Sequence, residues 1–225
     1  MKTYDDTWLV VPLYNEKTVI SQVISEARQV FPNIVCIDDG STDGSGAVAR
    51  AAGAVVTTHP INLGQGAALQ TGFDFVLRYT NARFVATFDA DGQHSIDDVI
   101  AMRQAALDED LSFVFGSRFL DGAKREMTGL KALVLRTAAL VTRLQTGLKL
   151  TDAHNGLRLI RRDALEQIHL HQDRMAHASE IVEQLAKTSL PWKEMPVNVR
   201  YTDYSRSKGQ SLLNSVNILV ELVMR

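Results

Sequence analysis

Short apolar runs alternate with helical segments through the first half of the chain, and this alternation constrains the fold more than any other feature. Four runs have the length and apolar content of buried strands: 8–11, 33–37, 54–58 and 84–88. Three intervening segments have helical spacing or composition: 17–31, 44–52 and 66–79. Repeated strand–helix–strand units predict an α/β fold with a mainly parallel central sheet and helices on both faces.

The second half of the chain is less regular, and its pattern predicts both strands and helices. Strands are expected at residues 111–116, 156–160 and 192–201. Helices are expected at residues 130–148, 179–187 and 212–224. A length of 225 residues suits one main domain, which we expect to span residues 1–209. Residues 210–225 would add an apolar helix that packs on the core, forms a dimer contact or lies at a membrane surface.

The composition excludes several classes of protein. A formal net charge of -2 provides no basic field for nucleic acid. The one cysteine, Cys36, lies in an apolar run, which predicts a buried thiol in a reducing compartment. No apolar stretch reaches the roughly 18–20 residues of a membrane-spanning helix, and the first residues lack the apolar core of a secretory signal. We therefore expect a cytoplasmic protein, with contact at the inner face of the membrane left open.

Polar clusters follow three of the predicted strands at the points where those strands end. These clusters are Asn15-Glu16, Asp38-Asp39 and Asp89–Asp91. Because ligands bind at the carboxyl ends of the strands in sheets of this kind, the clusters predict a single site at that edge.

Asp89 and Asp91 are the strongest candidates for chemistry. Two carboxylates that flank one residue after a buried strand can converge on one divalent ion. Mg²⁺ or Mn²⁺ prefers oxygen ligands and is commonly shared between carboxylates and substrate phosphates. Such an ion would neutralise a nucleoside diphosphate leaving group. The alternative is a solvated acidic turn that caps the next helix.

Three loops are further candidates for contacts with a nucleotide. The acids of residues 38–43 suit base or ribose hydrogen bonds, or else a helix cap. Residues 62–67 enter a helix, so N–H groups near Gly66 are candidates for phosphate binding. That loop matches neither of the glycine-rich nucleotide motifs, and an ordinary loop-to-helix junction is the alternative. The basic segment 205–209 suits closure over a diphosphate.

Four motifs occur in a fixed order along the chain and carry a family resemblance. They are PLYNE at 12–16, DDGSTD at 38–43, NLGQG at 62–66 and DADGQH at 89–94. Together they resemble family 2 glycosyltransferases of the GT-A fold. Matches at 116–119, 152–158 and 207–208 narrow the resemblance to the branch of dolichyl-phosphate mannose synthases and bacterial polyprenyl-phosphate glycosyltransferases.

The resemblance implies a GT-A nucleotide-diphospho-sugar transferase fold and a role for each motif residue. The residues implied to border the donor nucleotide are Pro12, Tyr14, Glu16 and Asp39, with Asp39 at the base. Those implied to hold the metal are Asp89, Asp91 and Gln93. Those implied to face the acceptor phosphate are Arg118 and Arg136, and those implied to close over the donor are Arg206 and Lys208.

The implied activity is an inverting transfer of mannose or glucose from a UDP- or GDP-sugar, with a polyprenyl phosphate as the leading acceptor. A lipid phosphate is already anionic near neutral pH and needs no strong base. A sugar or small-molecule hydroxyl acceptor is the alternative, and it would require a base, for which Glu180 is the candidate. Two other classes stay open: a nucleotidyltransferase that makes nucleotide sugars, and a non-catalytic nucleotide-sugar-binding subunit.

Overall fold

The structure is a computed structural model that describes residues 2–120, 148–152, 155–174 and 176–200. The strands within these residues are β1 Thr7–Leu13, β2 Asn33–Asp38, β3 Val55–Thr58, β4 Phe84–Thr87, β5 Phe113–Ser117, β6 Arg158–Arg161 and β7 Trp192–Pro196. The helices are α1 Ile20–Arg28, α2 Ser45–Ala51, α3 Gln65–Tyr79, α4 Ile96–Asp108, α5 Arg162–Leu165 and α6 His177–Lys187.

The seven described strands form one sheet in the order β3-β2-β1-β4-β6-β5-β7. β1 pairs in parallel with both β2 and β4, β2 pairs in parallel with β3, and β5 pairs in parallel with β7. β6 runs antiparallel to both of its neighbours, β4 and β5. The sheet is therefore mainly parallel, as the sequence predicts, and the carboxyl ends of β1, β2 and β4 lie side by side.

Apolar side chains alternate between the two faces of the sheet and form a core on each. Leu9 and Val11 of β1 pack on one face with residues of α1, α2 and α4, whereas Val10 packs on the other face with residues of α3, α5 and α6. This layering confirms the prediction of helices on both faces. Cys36 is fully buried, as predicted, and burial raises the pKa of its thiol to about 12.

The predicted elements of the first half match the structure to within a few residues at their ends, but the sequence pattern missed α4. The buried side of α4 includes Asp98 and Ala106 beside Val99 and Met102. A carboxylate and a small side chain dilute the apolar stripe that would have indicated the helix. The single turn of α5 was also missed.

The strand predicted at residues 192–201 is shorter than expected, because β7 ends at Pro196. Beyond it Val197 N still donates to the carbonyl oxygen of Ser117 in β5, at 3.0 Å, and the backbone then bonds to α4 and to the loop after β4. Asn198 N donates to Asp98 Oδ2 at 2.7 Å, and Arg200 N donates to the carbonyl oxygen of Gln93 at 2.9 Å. The final residues of the described chain thereby hold the turn that follows Asp91.

Several predicted segments lie outside the described residues. They are residues 130–147 of the long predicted helix, the basic loop at 205–209 and the whole of 210–225. In the part of the chain that the structure does describe, no helix has the length and apolar character needed to cross a bilayer.

Candidate active site

The loops that follow β1, β2, β3 and β4, together with the start of α3, line a cleft of about 340 Å³ at the carboxyl edge of the sheet. The residues that line it are Pro12, Leu13, Tyr14, Glu16, Asp39, Asn62, Gly64, Gln65, Ala68, Asp89, Ala90 and Asp91. Six sequence-predicted site residues therefore come together here: Pro12, Tyr14, Glu16, Asp39, Asp89 and Asp91. Parallel strands bring these distant segments to one edge, which is the expected position of a ligand site.

The loop after β1 is fastened to the loop after β2 by side chains. Asn15 N donates to Ser41 Oγ at 3.0 Å, and Thr42 N donates to Asn15 Oδ1 at 3.0 Å. Glu16 N donates to Ser45 Oγ at 2.8 Å. Asn15 has a φ of 54°, a left-handed conformation that asparagine tolerates better than most residues. These bonds fix the wall of the cleft that carries Tyr14 and Glu16.

Asp39 is 3% exposed, and both of its carboxylate oxygens accept hydrogen bonds from the protein. Oδ1 accepts from His59 Nδ1 at 2.7 Å and from Leu63 N at 2.9 Å, and Oδ2 accepts from Gly64 N at 2.8 Å. Asp39 therefore holds the loop at 62–64 against the cleft. The predicted contact between Asp39 and a base stays a prediction. Sequence reasoning missed the role of His59, which directly follows β3.

Asp89 accepts hydrogen bonds on both carboxylate oxygens. His94 Nε2 donates to Oδ2 at 2.9 Å, and Gln65 Nε2 donates to Oδ1 at 3.3 Å. Burial alone would raise the pKa of Asp89, but the positive charges of His94 and Arg158 outweigh it and lower that pKa. The charge of Asp89 in turn outweighs burial and raises the pKa of His94. Asp89 is therefore ionised at neutral pH.

Gly156 lies against the pair formed by Asp89 and His94. A Cβ atom at this position would lie 2.6 Å from Asp89 Oδ2 and 3.2 Å from His94 Nε2. A side chain there would have to displace the carboxylate or its imidazole partner. The absence of a side chain at Gly156 thus leaves space for the Asp89 carboxylate. The motif at 152–158 did not by itself explain why a glycine is required there.

Asp91 lies in an electrostatic environment that suits a cation ligand, because burial and a neighbouring negative charge raise its pKa. Burial, then the negative charges of Asp89 and Glu16, raise the pKa of Asp91 to about 6, whereas the bond from Gln93 N to Oδ1, at 3.0 Å, and the charge of His94 oppose this rise. A divalent ion would relieve the repulsion and displace the proton. Among the described residues no group of three or more His, Cys, Asp or Glu side chains could hold a metal ion. Two carboxylates that share an ion with substrate phosphates are a common arrangement for Mg²⁺ or Mn²⁺. Gln93, the third predicted ligand, is absent from the cleft lining.

Gly66 is packed against the protein instead of facing the cleft. Its N–H donates to the carbonyl oxygen of Asp173 at 2.7 Å. A Cβ atom on Gly66 would lie 1.9 Å from the carbonyl oxygen of Gln172 and 2.7 Å from the Cβ of His177. The predicted phosphate contact therefore has no support in this geometry, and the close approach of two backbones explains the glycine.

Glu180, the predicted base for a hydroxyl acceptor, is also occupied elsewhere. Its oxygens accept hydrogen bonds from His171 N at 3.0 and 3.1 Å, from Gln172 N at 2.8 Å and from Gln184 Nε2 at 3.1 Å. The side chain fixes the loop that packs behind Gly66, and it does not line the cleft. Its predicted role as a base has no support in this arrangement.

Arg118 forms a bidentate ion pair with the buried Asp152. Arg118 Nε donates to Oδ2 at 2.6 Å and Nη2 donates to Oδ1 at 2.8 Å, while the Arg118 backbone N–H adds a bond to Oδ2 at 3.1 Å. The three other predicted cations, Arg136, Arg206 and Lys208, lie outside the described residues.

Arg158 is a buried cation near the aspartates that sequence reasoning did not assign to the site. It is 2% exposed, its Nη2 donates to the carbonyl oxygen of Ala178 at 3.3 Å, and its Nε has no hydrogen-bond partner among the described residues. Burial lowers the pKa of Arg158 to about 10, although the charges of Asp89 and Asp152 oppose this. The guanidinium thus stays charged at neutral pH and helps to keep Asp89 ionised.

The buried imidazole of His177 should make the protein sensitive to mild acid. Burial, then the charge of Arg158, lowers its pKa from 6.5 to about 4, so below pH 6.5 the unfolded chain binds a proton that the folded chain does not. The neutral imidazole therefore makes its full contribution to the free energy of unfolding above pH 6.5. This free energy decreases as the pH falls, by about 2 kcal/mol at pH 5. We expect urea unfolding to show a smaller loss between pH 7 and pH 5 in His177→Asn than in the wild type. Equal losses would contradict the assignment.

Comparisons with known proteins identify the family to which the chain belongs. A family model described as Glycosyl transferase family 2 matches residues 8–169. The uncharacterized protein MJ1222 of Methanocaldococcus jannaschii is 35% identical, over 98% of this chain and 92% of that protein. The UDP-N-acetylglucosamine–dolichyl-phosphate N-acetylglucosaminyltransferase of Methanococcus voltae is 27% identical, over 96% of this chain and 94% of that protein.

A solved structure confirms the predicted GT-A fold. It is the Mycobacterium tuberculosis glucosyl-3-phosphoglycerate synthase, crystallised with Mn²⁺, UDP-glucose and phosphoglyceric acid. It superimposes with a TM-score of 0.70 at 19% identity, over 96% of this chain and 77% of that chain.

Proposed function

Because the chain belongs to glycosyl transferase family 2, and is thus a glycosyltransferase, we propose that it moves a hexose from a UDP- or GDP-sugar to a polyprenyl phosphate with inversion at the anomeric carbon. The observation that carries the proposal is the pair Asp89 and Asp91 in one cleft, with the pKa of Asp91 raised by its neighbour. Two close carboxylates of this kind suit a divalent cation that is shared with a diphosphate.

In this proposal two aspartates would bind the metal ion, and neighbouring residues hold the site in place. Asp89 and Asp91 would hold Mg²⁺ or Mn²⁺, and the bound ion would supply the positive charge that stabilises the departing nucleoside diphosphate. His94 and Gln65 hold the Asp89 carboxylate in place. Asp39 holds the loop at 62–64, so the nucleotide would enter a cleft whose walls are already formed.

A phosphate acceptor is favoured over a hydroxyl acceptor by the surroundings of Glu180. A hydroxyl nucleophile requires a base, and the oxygens of Glu180 are engaged by backbone N–H groups. A phosphate is an anion near neutral pH and attacks without one. The Methanococcus voltae relative acts, by its name, on dolichyl phosphate. Arg118, and with it Arg136, would face the acceptor phosphate, while Arg206 and Lys208 would close over the donor.

A panel of nucleotide sugars tests the proposal directly. With Mn²⁺ present, one member of a panel of UDP-glucose, GDP-mannose and UDP-N-acetylglucosamine should raise the melting temperature, because selective binding to the folded state adds about 2.7 kcal/mol at a hundredfold excess over Kd. For a chain of this size that corresponds to roughly 5–10 °C. The same donor should then yield a glycosyl phosphate product with a short-chain polyprenyl phosphate.

The panel also separates the alternatives. Transfer to a saccharide hydroxyl without transfer to the polyprenyl phosphate would overturn the proposed acceptor. Release of pyrophosphate from a nucleoside triphosphate and a sugar phosphate would instead identify a nucleotidyltransferase. Binding of a donor without any transfer would identify a non-catalytic subunit.

A further inference from the structure

A chain of hydrogen bonds connects β7 with the residues on either side of Arg118. Glu194 of β7 accepts hydrogen bonds from Thr151 N at 2.9 and 3.0 Å, from Asp152 N at 2.9 Å and from Thr151 Oγ1 at 2.9 Å. Thr151 Oγ1 also lies 2.6 Å from Ser117 Oγ, which accepts from Phe119 N at 3.1 Å. We call Ser117, Thr151 and Glu194 the β7 clasp.

The donors and acceptors of the β7 clasp can be assigned along its length. A carboxylate only accepts hydrogen bonds, so the Thr151 hydroxyl must donate to Glu194. The Thr151 oxygen can then accept the hydroxyl hydrogen of Ser117. Because the Ser117 oxygen accepts from Phe119 N, the clasp ends on the residue that follows Arg118 in the chain. Loss of the Thr151 hydroxyl would therefore interrupt the clasp at its centre.

The clasp also fixes the partner of the Arg118 side chain. Glu194 bonds the backbone N–H of Asp152, and the Asp152 carboxylate binds Arg118 through three hydrogen bonds. The side chain of Asp152 is 1% exposed and that of Arg118 is 15% exposed. The Nε and Nη2 atoms of the Arg118 guanidinium thus bond to Asp152. The orientation of the guanidinium therefore depends on the position in which Glu194 holds residues 151–152.

The Glu194 side chain is not needed to join β7 to its neighbour β5. β5 and β7 already pair in parallel along their whole length, from Phe113 opposite Trp192 to Ser117 opposite Pro196, and Val197 N donates to the carbonyl oxygen of Ser117 at 3.0 Å. Among the described residues, the hydrogen bonds of the carboxylate go to the 151–152 segment instead. The position of the Glu194 carboxylate therefore indicates that it holds residues 151–152 in place.

We infer that Glu194 and Thr151 are positioning residues, which orient the Arg118 guanidinium through Asp152 for contact with the acceptor phosphate. The part that concerns the acceptor rests on the proposed function. The part that concerns Arg118 itself does not, since it follows from the hydrogen bonds alone. Neither residue touches the cleft that holds the aspartates, so donor binding should not depend on them.

The matched pair Thr151→Val and Thr151→Ser tests the inference in the full-length protein. Valine keeps the shape and removes the hydroxyl, whereas serine keeps the hydroxyl. In Thr151→Val and in Glu194→Gln we expect the KM for a short-chain polyprenyl phosphate to rise about tenfold or more, with the KM for the donor within about twofold of the wild type. Thr151→Ser should stay within about twofold of the wild type for both.

A second measurement does not depend on the acceptor. A guanidinium held by two hydrogen bonds protects its Nε proton from exchange with water, so the Arg118 Nε–H signal should be visible by NMR in the wild type and in Thr151→Ser. That signal should broaden or vanish in Thr151→Val and Glu194→Gln. If it persists in both, the positioning role is overturned, whatever the acceptor.

The two measurements keep this inference separate from the proposed function. Loss of the signal with a raised acceptor KM supports both. Loss of the signal while the KM for polyprenyl phosphate stays unchanged supports the positioning of Arg118 and overturns its role at the acceptor. Should Glu194→Gln fail to fold, the isosteric change in Thr151→Val still gives the answer.

Discussion

Asp91→Asn is expected to lower sugar transfer by about 10³-fold, because the change removes one of the two charges that would hold the cation. The side chain keeps its shape, so the bond from Gln93 N to Oδ1 can be retained. What is lost is the ionised form, which Asp91 reaches above a pH of about 6. The rate of glycosyl phosphate formation at saturating Mn²⁺, with the donor identified by the panel, measures the effect.

Asp108→Asn provides the matched control for this experiment. Asp108 ends α4 on the exposed surface, where it accepts a hydrogen bond from Gln104 Nε2 at 2.8 Å, and it does not line the cleft. The same chemical change there should leave transfer within about twofold of the wild type. Mn²⁺ binding followed by calorimetry should weaken in Asp91→Asn and not in Asp108→Asn. Undiminished metal-dependent transfer by Asp91→Asn would contradict the proposed metal site.

The cleft could be predicted from the sequence because its main residues sit at the ends of strands. Asp39 and Asp89 each follow an apolar run, and a parallel sheet brings such positions to one edge. The local sequence was enough to predict the positions of these two residues, because each apolar run can be identified without information from the rest of the chain. The same reasoning gave the order of the layers and the mainly parallel sheet.

The supporting contacts could not be predicted, because they join residues that are distant in sequence and have no local pattern. Arg158 lies in β6 whereas Asp89 follows β4, and Glu194 of β7 bonds to Asp152, which is 42 residues earlier in the chain. His59 resembles any polar residue after a strand until the fold brings it to Asp39. Such contacts depend on the topology of the fold, and the order of the motifs along the chain does not specify that topology.

Gly66 shows how the structure can offer a second physical reason for a motif residue, beside the one that the sequence pattern indicates. In the sequence a glycine at the start of a helix favours a phosphate site, since its N–H would point at the ligand. In the structure that N–H donates to Asp173, and the absence of a side chain allows the carbonyl of Gln172 to approach. The two explanations predict different consequences of adding one methyl group.

Gly66→Ala is expected to destabilise the protein by about 3 kcal/mol, because the new methyl would overlap a backbone carbonyl that cannot rotate away. The better helix propensity of alanine would recover only about 1 kcal/mol of the gross cost. A net loss of this size lowers the melting temperature by roughly 6–12 °C for a chain of this length. Thermal unfolding without nucleotide measures the effect.

Gly44→Ala separates crowding from the general cost of losing a glycine. Gly44 has a φ of +87° and, within the described part of the chain, no neighbouring atom within 4 Å of an added Cβ, so alanine there meets only backbone strain, about 1–2 kcal/mol. Gly66→Ala should be the less stable of the two, while the Kd for the nucleotide sugar measured below the melting transition stays within about twofold of the wild type. A folded Gly66→Ala protein with normal stability and a greatly weakened nucleotide affinity would instead restore Gly66 as a phosphate ligand, since only a direct contact would lose binding without losing the packing against Gln172.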